Sequence, residues 1–396
     1  MKLPHFYPAC IPVDELICAA LRGDGPTWHL ADDPATVALF VDRCTQHGVQ
    51  VLLHARAAQL RWPPAVLASL RQAAMAWALW EERHRHIVGQ AVEALAAQGV
   101  RPVLFKGTAL AYTVYSDAYM RPRADTDLLV ASSERHRAAQ VLESLGFVQC
   151  GTLDCEYVGY EASFVRQEAG LTHMLDLHWR IHYSQVQATR FPYEDLRRDA
   201  IPLTRLSPLA LGASPVHALL LTCIHRANDL RVPQWSQDQA RFGSDRLLWI
   251  HDIHLLLRSM SADELRALAH AATTTGTRSV CSEPIQLAIR QFGSPVPESL
   301  MAALADAKQP DTVAEYQRQS ATRQRWGDLR AVRGAKAKAA FLIEHLAPPP
   351  AYMRERYPGA RMAPVQLLRV RRLLDGLRKW GRLCEAIRKN GASKAL

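Results

Sequence analysis

The sequence predicts an α+β protein in which a small mixed β-sheet is flanked by N-terminal and C-terminal helical regions. Between about residues 100 and 185, short β-prone apolar segments alternate with helical spacing in the order βαβαβββ. Outside that section, apolar residues recur mostly with the period of an α-helix. These two observations divide the chain into four parts. They are an N-terminal helical region (1–99), a mixed core (100–200), a C-terminal helical domain (201–340) and a basic C-terminal helix or tail (341–396).

Helices are predicted throughout the first hundred residues. Asp33-Pro34 is typical of a helix start and Gly48 of a helix end, with apolar residues at helical spacing between them. Pro63-Pro64 opens a long helix that ends at Gly99. We expect the charged run at 81–86 to be a solvated face of this helix. Its two histidines do not share a helix face, because they are only two residues apart, and this argues against a metal site.

The core is predicted to hold five strands and two helices. The first strand leads through Gly107 into a short helix, and a second helix begins at Ser132-Ser133 and ends at Gly146. The predicted strands lie at 102–106, 125–130, 147–150, 157–166 and 173–182. After about residue 205 the pattern is helical, and the clearest predicted helices lie at 217–230, 246–260, 261–272, 284–292, 297–308 and 364–389.

The composition is that of an ordinary globular chain. Of 396 residues, 48% are hydrophobic and 22% are charged, and no apolar run reaches the ~18 residues needed to cross a membrane. The N-terminus has no apolar segment of signal-peptide length. The eight cysteines include no CxxC pair and match neither a zinc site nor a disulfide framework. We therefore expect a cytoplasmic protein with free thiols and no membrane span.

Positive charge is concentrated in the C-terminal fifth of the chain. The net charge is +10, but residues 319–396 carry 18 Lys/Arg and 5 Asp/Glu, which leaves the rest slightly acidic. This segment could bind RNA or another polyanion through phosphate charge. Alternatively, its amphipathic helix packs on the protein with the basic face in solvent. We favour the packed helix, because few aromatic residues interleave the charges and no module that reads bases is recognisable.

Two carboxylates, Asp125 and Asp127, stand one residue apart at the start of a predicted strand. Side chains with this spacing point to the same side of a sheet. Paired carboxylates repel each other unless a cation lies between them, and a divalent metal ion is the usual one. Upstream, the Gly107 turn can offer backbone N–H groups to phosphates. This part of the chain therefore predicts a metal-dependent nucleotide site.

A third carboxylate lies about fifty residues later, on the predicted strand 173–182. Alternation places Asp176 and His178 on one face with Arg180 and His182, and an apolar set on the other face. If this strand lies beside the aspartate pair, the three carboxylates suit a two-metal site. Two of them would hold the metal that organises a triphosphate. Asp176 would complete a second metal site or act as the base that activates an attacking hydroxyl.

Six short segments follow one another in a specific combination. They are Leu104-Phe105-Lys106-Gly107-Thr108-Ala109-Leu110, Arg121-Pro122, Asp125-Thr126-Asp127-Leu128-Leu129-Val130, Asp176-Leu177-His178-Trp179, Leu247-Leu248-Trp249-Ile250-His251-Asp252 and Tyr352-Met353-Arg354-Glu355-Arg356-Tyr357-Pro358. In this combination the chain resembles the DNA polymerase β-like nucleotidyltransferase superfamily, and most closely its branch of uncharacterised nucleotidyltransferases. The resemblance spans most of residues 100–360.

The resemblance implies a palm-like mixed sheet that binds an NTP, such as ATP, together with Mg²⁺, or with Mn²⁺ as the alternative ion. Asp125, Asp127 and Asp176 would be the catalytic and metal-binding residues. Gly107 and Thr108 would lie at the triphosphate. The complete set of implied nucleotide-binding residues is Lys106, Gly107, Thr108, Arg121 and His178.

The chain departs from the commoner superfamily pattern at the turn before the aspartate pair. It reads Lys-Gly-Thr where Gly-Ser or Gly-Gly is usual, and the gap from Thr108 to Asp125 is longer than in minimal members. Lys106 would bring charge to the phosphates or pair with an aspartate of the site. Arg121 would bind phosphate or pair with Asp125. Asp252 would make a structural hydrogen bond or contact the nucleotide or the acceptor.

The predicted activity is transfer of an NMP from an NTP to a hydroxyl or phosphate of an acceptor, with release of pyrophosphate. In this interpretation the acceptor is a small molecule, a peptide or a protein. Two alternatives stay open. One is a toxin-like enzyme that modifies RNA ends and uses residues 319–396 as an anchor. The other is a nucleotide-binding scaffold with little turnover, against which the presence of all three carboxylates argues.

Overall fold

One mixed β-sheet organises the fold, which a computed structural model describes for residues 11–231, 233–236, 239–242, 245–306, 308–360, 362–376 and 378. In this part of the chain the sheet has seven strands, which are β1 (Val103–Phe105), β2 (Asp125–Leu129), β3 (Val148–Cys150), β4 (Glu161–Glu168), β5 (Leu171–His178), β6 (Ile201–Pro202) and β7 (Leu211–Gly212). Across the sheet they lie in the order β3-β4-β5-β2-β1-β7-β6. A separate hairpin is formed by β8 (Pro233–Ser236) and β9 (Gln239–Phe242).

Strand β2 lies at the centre of the sheet, antiparallel to β1 and parallel to β5. Its register with β5 places Asp127 opposite Asp176. Strand β4 runs antiparallel to β5 and places Glu161 opposite His178. The α+β class, the mixed sheet and the βαβαβββ order are therefore confirmed. The last predicted strand ends four residues early, at His178, and the two-residue strands β6 and β7 at the far edge were not predicted.

Helices surround the sheet. Those described are α1 (Ile11–Arg22), α2 (Pro34–His47), α3 (Gln50–His54), α4 (Pro64–Ala97), α5 (Lys106–Thr113), α6 (Arg135–Ser144), α7 (Gln185–Ala188), α8 (Tyr193–Arg198), α9 (Pro215–Arg231), α10 (Leu247–Ser259), α11 (Ala262–Thr275), α12 (Arg278–Phe292), α13 (Glu298–Ala305), α14 (Thr312–Arg318), α15 (Ala321–Ala331), α16 (Ala335–Leu346) and α17 (Pro350–Arg356). Residues 365–376 are also helical, and most of the remaining predicted helix up to residue 389 lies outside the described residues. Within the described chain, no helix combines the length and the apolar character that a bilayer crossing requires.

Local signals fix several helix ends as the sequence predicts. The Asp33 carboxylate accepts hydrogen bonds from two backbone N–H groups of the first turn of α2, and Gly48 ends that helix with a left-handed φ of 71°. Ser261 and Glu264 form a capping box at the start of α11. The predicted helix start at Pro284 is wrong, because α12 begins six residues earlier and contains the proline. Burial of the apolar residues in its first two turns outweighs the lost N–H donor.

The sheet separates two hydrophobic clusters. Leu104 and Leu128 point to one side, where they pack with α4 and α6, and Phe105 and Leu129 point to the other, where they pack with helices from both ends of the chain. This second cluster contains residues of the predicted N-terminal, core and C-terminal regions. The predicted division of the chain into four regions, with boundaries at residues 99, 200 and 340, stays a prediction.

The charged run at 81–86 in α4 is only partly a solvated face. Glu81 and His84 are buried, with 6% and 0% of their surface exposed, while their charged neighbours in this run are exposed. The prediction is wrong for these two residues because α4 packs along the sheet. Residues one turn apart on its inner side, Glu81, His84 and Val88, therefore face protein.

Two carboxylates from the C-terminal helices hold segments next to the sheet. The Glu344 carboxylate of α16 accepts the backbone N–H groups of residues 156, 157 and 158 at 3.1, 2.7 and 2.8 Å, just before β4. Asp328 of α15 accepts the Ser184 hydroxyl at 2.9 Å and the Val186 N–H at 3.2 Å, just after β5. The described part of the basic segment 319–396 therefore contacts the sheet region.

We predict that Glu344→Ala destabilises the protein by about 1–2 kcal/mol, because three backbone N–H groups lose their acceptor in a partly buried loop. Urea-induced unfolding measures the change. Glu344→Gln keeps one acceptor oxygen and should cost less. The exposed Glu143→Ala in α6 is the control. Equal unfolding midpoints for Glu344→Ala and Glu143→Ala would contradict a holding role for Glu344.

Candidate active site

Three aspartates meet on one face of the sheet. In β2, Asp125 and Asp127 alternate with Thr126 and Leu128, so both carboxylates point away from the cluster that contains α4. In β5, Asp176 stands opposite Asp127 and projects to the same side. The structure thus brings together the three predicted carboxylates.

Asp127 is the most closely contacted of the three. Its Oδ1 atom lies 2.6 Å from Lys106 Nζ and 2.9 Å from His178 Nε2, and only 3% of the residue is exposed. Burial alone would raise its pKa, but the charges of Lys106 and His178 outweigh burial and lower the pKa well below its usual range. The predicted pairing of Lys106 with an aspartate of the site is therefore observed.

Lys106 reaches Asp127 from an unusual backbone conformation. Its φ is 53°, in the left-handed region that residues with a side chain rarely adopt. The residue forms the junction between β1 and α5. Such strain persists only where the surroundings fix it, and here it accompanies the contact between ammonium and carboxylate.

Asp125 differs from Asp127 because the charges of Lys106 and Arg121 lower its pKa too little to outweigh burial. Burial, followed by the charges of Asp127 and Asp176, raises the pKa of Asp125 to about 6. The Oδ1 atom of Asp176 is buried and has no hydrogen-bond partner. A buried acceptor that has no protein partner can serve as a ligand atom.

The donor atoms suit a divalent cation. Asp127, Asp176 and His178 each offer one ligand atom, and these atoms lie within 4.8 Å of one another. Among the described residues this is the group that meets the spacing, and Asp125 lies outside it. Carboxylate oxygens suit Mg²⁺ and Mn²⁺, and imidazole is a ligand for transition metals. The orphaned Asp176 oxygen and the donor set therefore fit a metal ion.

Glu161 is a site residue that the sequence prediction missed. It starts β4 opposite His178, and its Oε2 atom lies 3.2 Å from His178 Nδ1. His178 thus stands between two carboxylates: its Nε2 is hydrogen-bonded to Asp127, and its Nδ1 lies within ion-pair distance of Glu161 without forming a hydrogen bond. The predicted strand 157–166 contained Glu161, and only the pairing of β4 with β5 could have placed it at the site.

A cavity of about 340 Å³ opens above the carboxylates. One wall is aromatic, with the rings of Tyr160 and Tyr183 6.3 Å apart and His182 beside them. Another wall is formed by α9, which was not predicted as part of the site. The residues of α9 that line it are Leu221, Ile224, His225, Asn228 and Asp229.

Arg121 lies against the turn at Lys106 and Gly107, which joins β1 to α5 and is here named the catalytic turn, and it pairs with Asp252. Its Nη2 lies 2.8 Å from Asp252 Oδ2 and its Nε 3.2 Å from Oδ1, and both residues are buried. Tyr115 donates to the same carboxylate at 2.7 Å. Asp252 therefore makes the structural hydrogen bond that was one of its two predicted roles. Arg121 pairs with Asp252, and not with Asp125 as one prediction had it. A Cβ atom added to Gly107 would lie 2.6 Å from Arg121 Nη1, which explains the glycine.

Thr108 faces away from the cavity. Its hydroxyl is 2.7 Å from the Thr126 hydroxyl and accepts from Arg123 Nε at 2.9 Å, on the α4 side of the sheet. Thr126 in turn lies 2.7 Å from His84 Nε2, and Arg123 pairs with Glu81. The Thr108 side chain therefore ties α5 to β2 and α4. Its predicted role at the triphosphate can only involve its backbone.

A comparison of the sequence with models of protein families identifies the family of the chain. A family model described as "Uncharacterised nucleotidyltransferase" matches residues 33–293. The chain belongs to this family. The predicted family and enzyme class are thereby confirmed, and the protein is a nucleotidyltransferase. No curated protein sequence matches it. Among solved structures, it is similar to that of the antibiotic-resistance factor ANT(2″)-Ia, with 13% identity and a TM-score of 0.32, over 49% of this chain and 93% of that one.

We predict that Asp176→Asn weakens Mn²⁺ binding by this nucleotidyltransferase more than about tenfold, because a negatively charged ligand is replaced by a neutral one of the same shape. Isothermal titration calorimetry without nucleotide measures the affinity. The exposed Asp154→Asn removes the same charge away from the cluster and is the control. Equal Mn²⁺ affinities for the two variants would exclude Asp176 as a ligand.

We predict that Gly107→Ala destabilises the nucleotidyltransferase by about 1–3 kcal/mol, since the new methyl group overlaps the guanidinium that Asp252 holds in place. The same substitution in an Arg121→Lys background should cost less, because lysine lacks the Nη1 atom. Thermal unfolding of the four proteins of this cycle measures the difference. An identical cost in both backgrounds would rule out the clash as the cause.

Proposed function

We propose that the protein transfers an NMP from a Mg²⁺-bound NTP to a hydroxyl or phosphate of an acceptor and releases pyrophosphate. The observation that supports this most directly is the meeting of three aspartates on adjacent strands, with one buried Asp176 oxygen that has no protein partner. Membership of a nucleotidyltransferase family supplies the reaction class. Together they favour an active enzyme over a scaffold.

Asp125, Asp127 and Asp176 would hold the metal ions, with His178 beside them. Bound Mg²⁺ would neutralise phosphate charge and align the attacking and leaving oxygens. Lys106 donates a hydrogen bond to Asp127 Oδ1 and adds positive charge at the edge of the cavity. Glu161 would keep the His178 ring oriented toward Asp127.

The chemical step needs a proton acceptor for the attacking group. An acceptor oxygen forms a bond to the α-phosphorus, while the bond from that phosphorus to the β-bridging oxygen breaks and pyrophosphate leaves with the electron pair. The proton of an attacking hydroxyl must go to a base. Asp176 is our choice: one oxygen of its carboxylate would hold the metal ion, and the other would accept the proton.

The walls of the cavity suit a nucleotide. The rings of Tyr160 and Tyr183 offer flat surfaces against which a base can pack. Burial, followed by the charge of Lys106, lowers the pKa of His182 to about 3 and that of His225 to about 4. Both imidazoles are therefore neutral at the pH of a cell, and they can select a base by hydrogen bonding without attracting the phosphates.

The acceptor is proposed to be a small molecule, a peptide or a protein in the cytoplasm. Helices α15 and α16 use Asp328 and Glu344 to hold segments next to the cavity. This favours a packing role for the described part of the segment 319–396. RNA is therefore treated as the competing acceptor in the experiment.

The decisive experiment supplies α-labelled ATP, CTP, GTP or UTP with Mg²⁺ and, as acceptor source, the small-molecule, protein or RNA fraction of a cell extract. We expect one NTP to label the small-molecule or protein fraction and release pyrophosphate. Asp125→Ala with Asp127→Ala should reduce labelling by a factor of roughly 10³ or more, since the charge that positions the triphosphate is removed.

The exposed Asp154→Ala removes one carboxylate away from the site and should retain full activity. Circular dichroism of the double variant checks that its fold is intact. Transfer at the wild-type rate by the double variant would refute the assignment of the site. Labelling confined to the RNA fraction, with steep loss of binding as salt rises, would establish the RNA alternative.

A further inference from the structure

A second cavity lies at the other end of α5 from Lys106. Its volume is about 600 Å³, and its wall combines Val114 and Tyr115, just after α5, with residues of α1, α3, α10 and α12. Because α5 has eight residues, its two ends are about 12 Å apart. The second cavity is therefore separate from the one above the aspartates.

The described wall of this cavity contains positive charge without negative charge. Its charged side chains are Arg22, Arg56 and Arg258. Arg22 is balanced by Asp24, whose Oδ2 lies 2.7 Å from its Nη2. Within the described part of the chain, Arg56 and Arg258 have no ion pair. Two uncompensated guanidinium groups at one cavity attract an anion.

Two buried histidines of α10 complete the polar wall. Burial, followed by the charges of His254, Arg56 and Arg258, lowers the pKa of His251 to about 3, and burial with Arg258 lowers that of His254 to about 4. Both rings are therefore neutral, and Nε2 is the nitrogen that each can offer to a ligand, because Nδ1 of His251 contacts Tyr115 and Nδ1 of His254 contacts Ser294. Phe292 packs against them with centroid distances of 5.5 Å and adds an apolar surface.

We propose that this cavity binds a small phosphate-bearing molecule, with its phosphate at Arg56 and Arg258 and its remainder against His251, His254 and Phe292. Guanidinium groups match phosphate oxygens in geometry and charge. A phosphate dianion can neutralise both arginines, whereas a single carboxylate neutralises one.

A hydrogen-bond network connects this cavity to the catalytic turn. The Tyr115 hydroxyl lies 3.3 Å from His251 Nδ1 and donates to Asp252 Oδ1. Asp252 holds Arg121, whose guanidinium lies against Gly107. A ligand that displaces His251 or Tyr115 therefore acts on the residues that support the catalytic turn, and we expect it to change the affinity for nucleotide.

The binding test uses the full chain and inorganic phosphate, in EDTA and at constant ionic strength. Without metal, the active site is acidic and repels phosphate, so this measurement does not depend on the proposed function. We expect saturable binding by calorimetry with one phosphate per chain. Arg56→Ala and Arg258→Ala should each weaken it roughly tenfold to a hundredfold. The exposed Arg71→Ala in α4 should leave it unchanged.

Two results would overturn the site. One is no saturable binding of phosphate, which would leave Arg258 as a cation that only stabilises the C-terminal end of α10. The other is phosphate binding that persists in the Arg56→Ala/Arg258→Ala double variant while thermal unfolding shows that variant to be folded. Arg258→Glu, at an exposed position, supplies a second variant and should abolish binding.

The link to the active site is tested separately and rests on the proposed function. We expect saturating phosphate to change, about fivefold or more, the dissociation constant of the Mn²⁺ complex of the NTP that the labelling experiment identifies, and Tyr115→Phe to remove this change while phosphate still binds. An unchanged constant in the wild-type protein would refute the link. Failure of all four NTPs to bind with Mn²⁺ would instead count against the proposed function.

Discussion

The site depends on how the charge of buried Asp127 is balanced. Lys106 and His178 both approach its Oδ1 atom: Lys106 directly follows β1, and His178 ends β5, and these two strands flank β2. Their contacts lower the pKa of Asp127, whereas burial and like charge raise that of Asp125 to about 6. Two aspartates one residue apart therefore differ electrostatically before any ion binds. A cation would compete with Lys106 for Asp127 and would relieve the repulsion felt by Asp125.

The opposite face of β2 explains why this arrangement can be rigid. Thr126 points away from the aspartates into the hydrogen bonds that join it to Thr108 and His84. Arg123 adds contacts to Thr108 and, through Glu81, to α4. The first turn of α5 is thus tied to β2 through Thr108, and on the other side Gly107 packs against Arg121. Because buried polar groups are costly when unsatisfied, such a network permits few alternative positions of the catalytic turn.

The carboxylates could be predicted because strand alternation is a local property. Asp125 with Asp127, and Asp176 with His178, each share a face by spacing alone, and only the adjacency of β2 and β5 had to be assumed. Residues that depend on distant pairing could not be found in this way. Asp252 meets Arg121 across 131 positions, and Glu161 joins the site through its register with β5. The burial of Glu81 and His84 was missed because a charged run in a long helix normally indicates solvent.

The chain beyond residue 293, where the family match ends, also bears on the site. Glu344 fixes the three peptides that precede Tyr160, and Asp328 fixes the turn that follows Tyr183. These two tyrosines form the aromatic wall of the cavity, so helices outside the matched region set the position of that wall. The aspartates, in contrast, are positioned by strands inside the matched region. The aspartates and the aromatic wall of the cavity are therefore held in place by different parts of the chain.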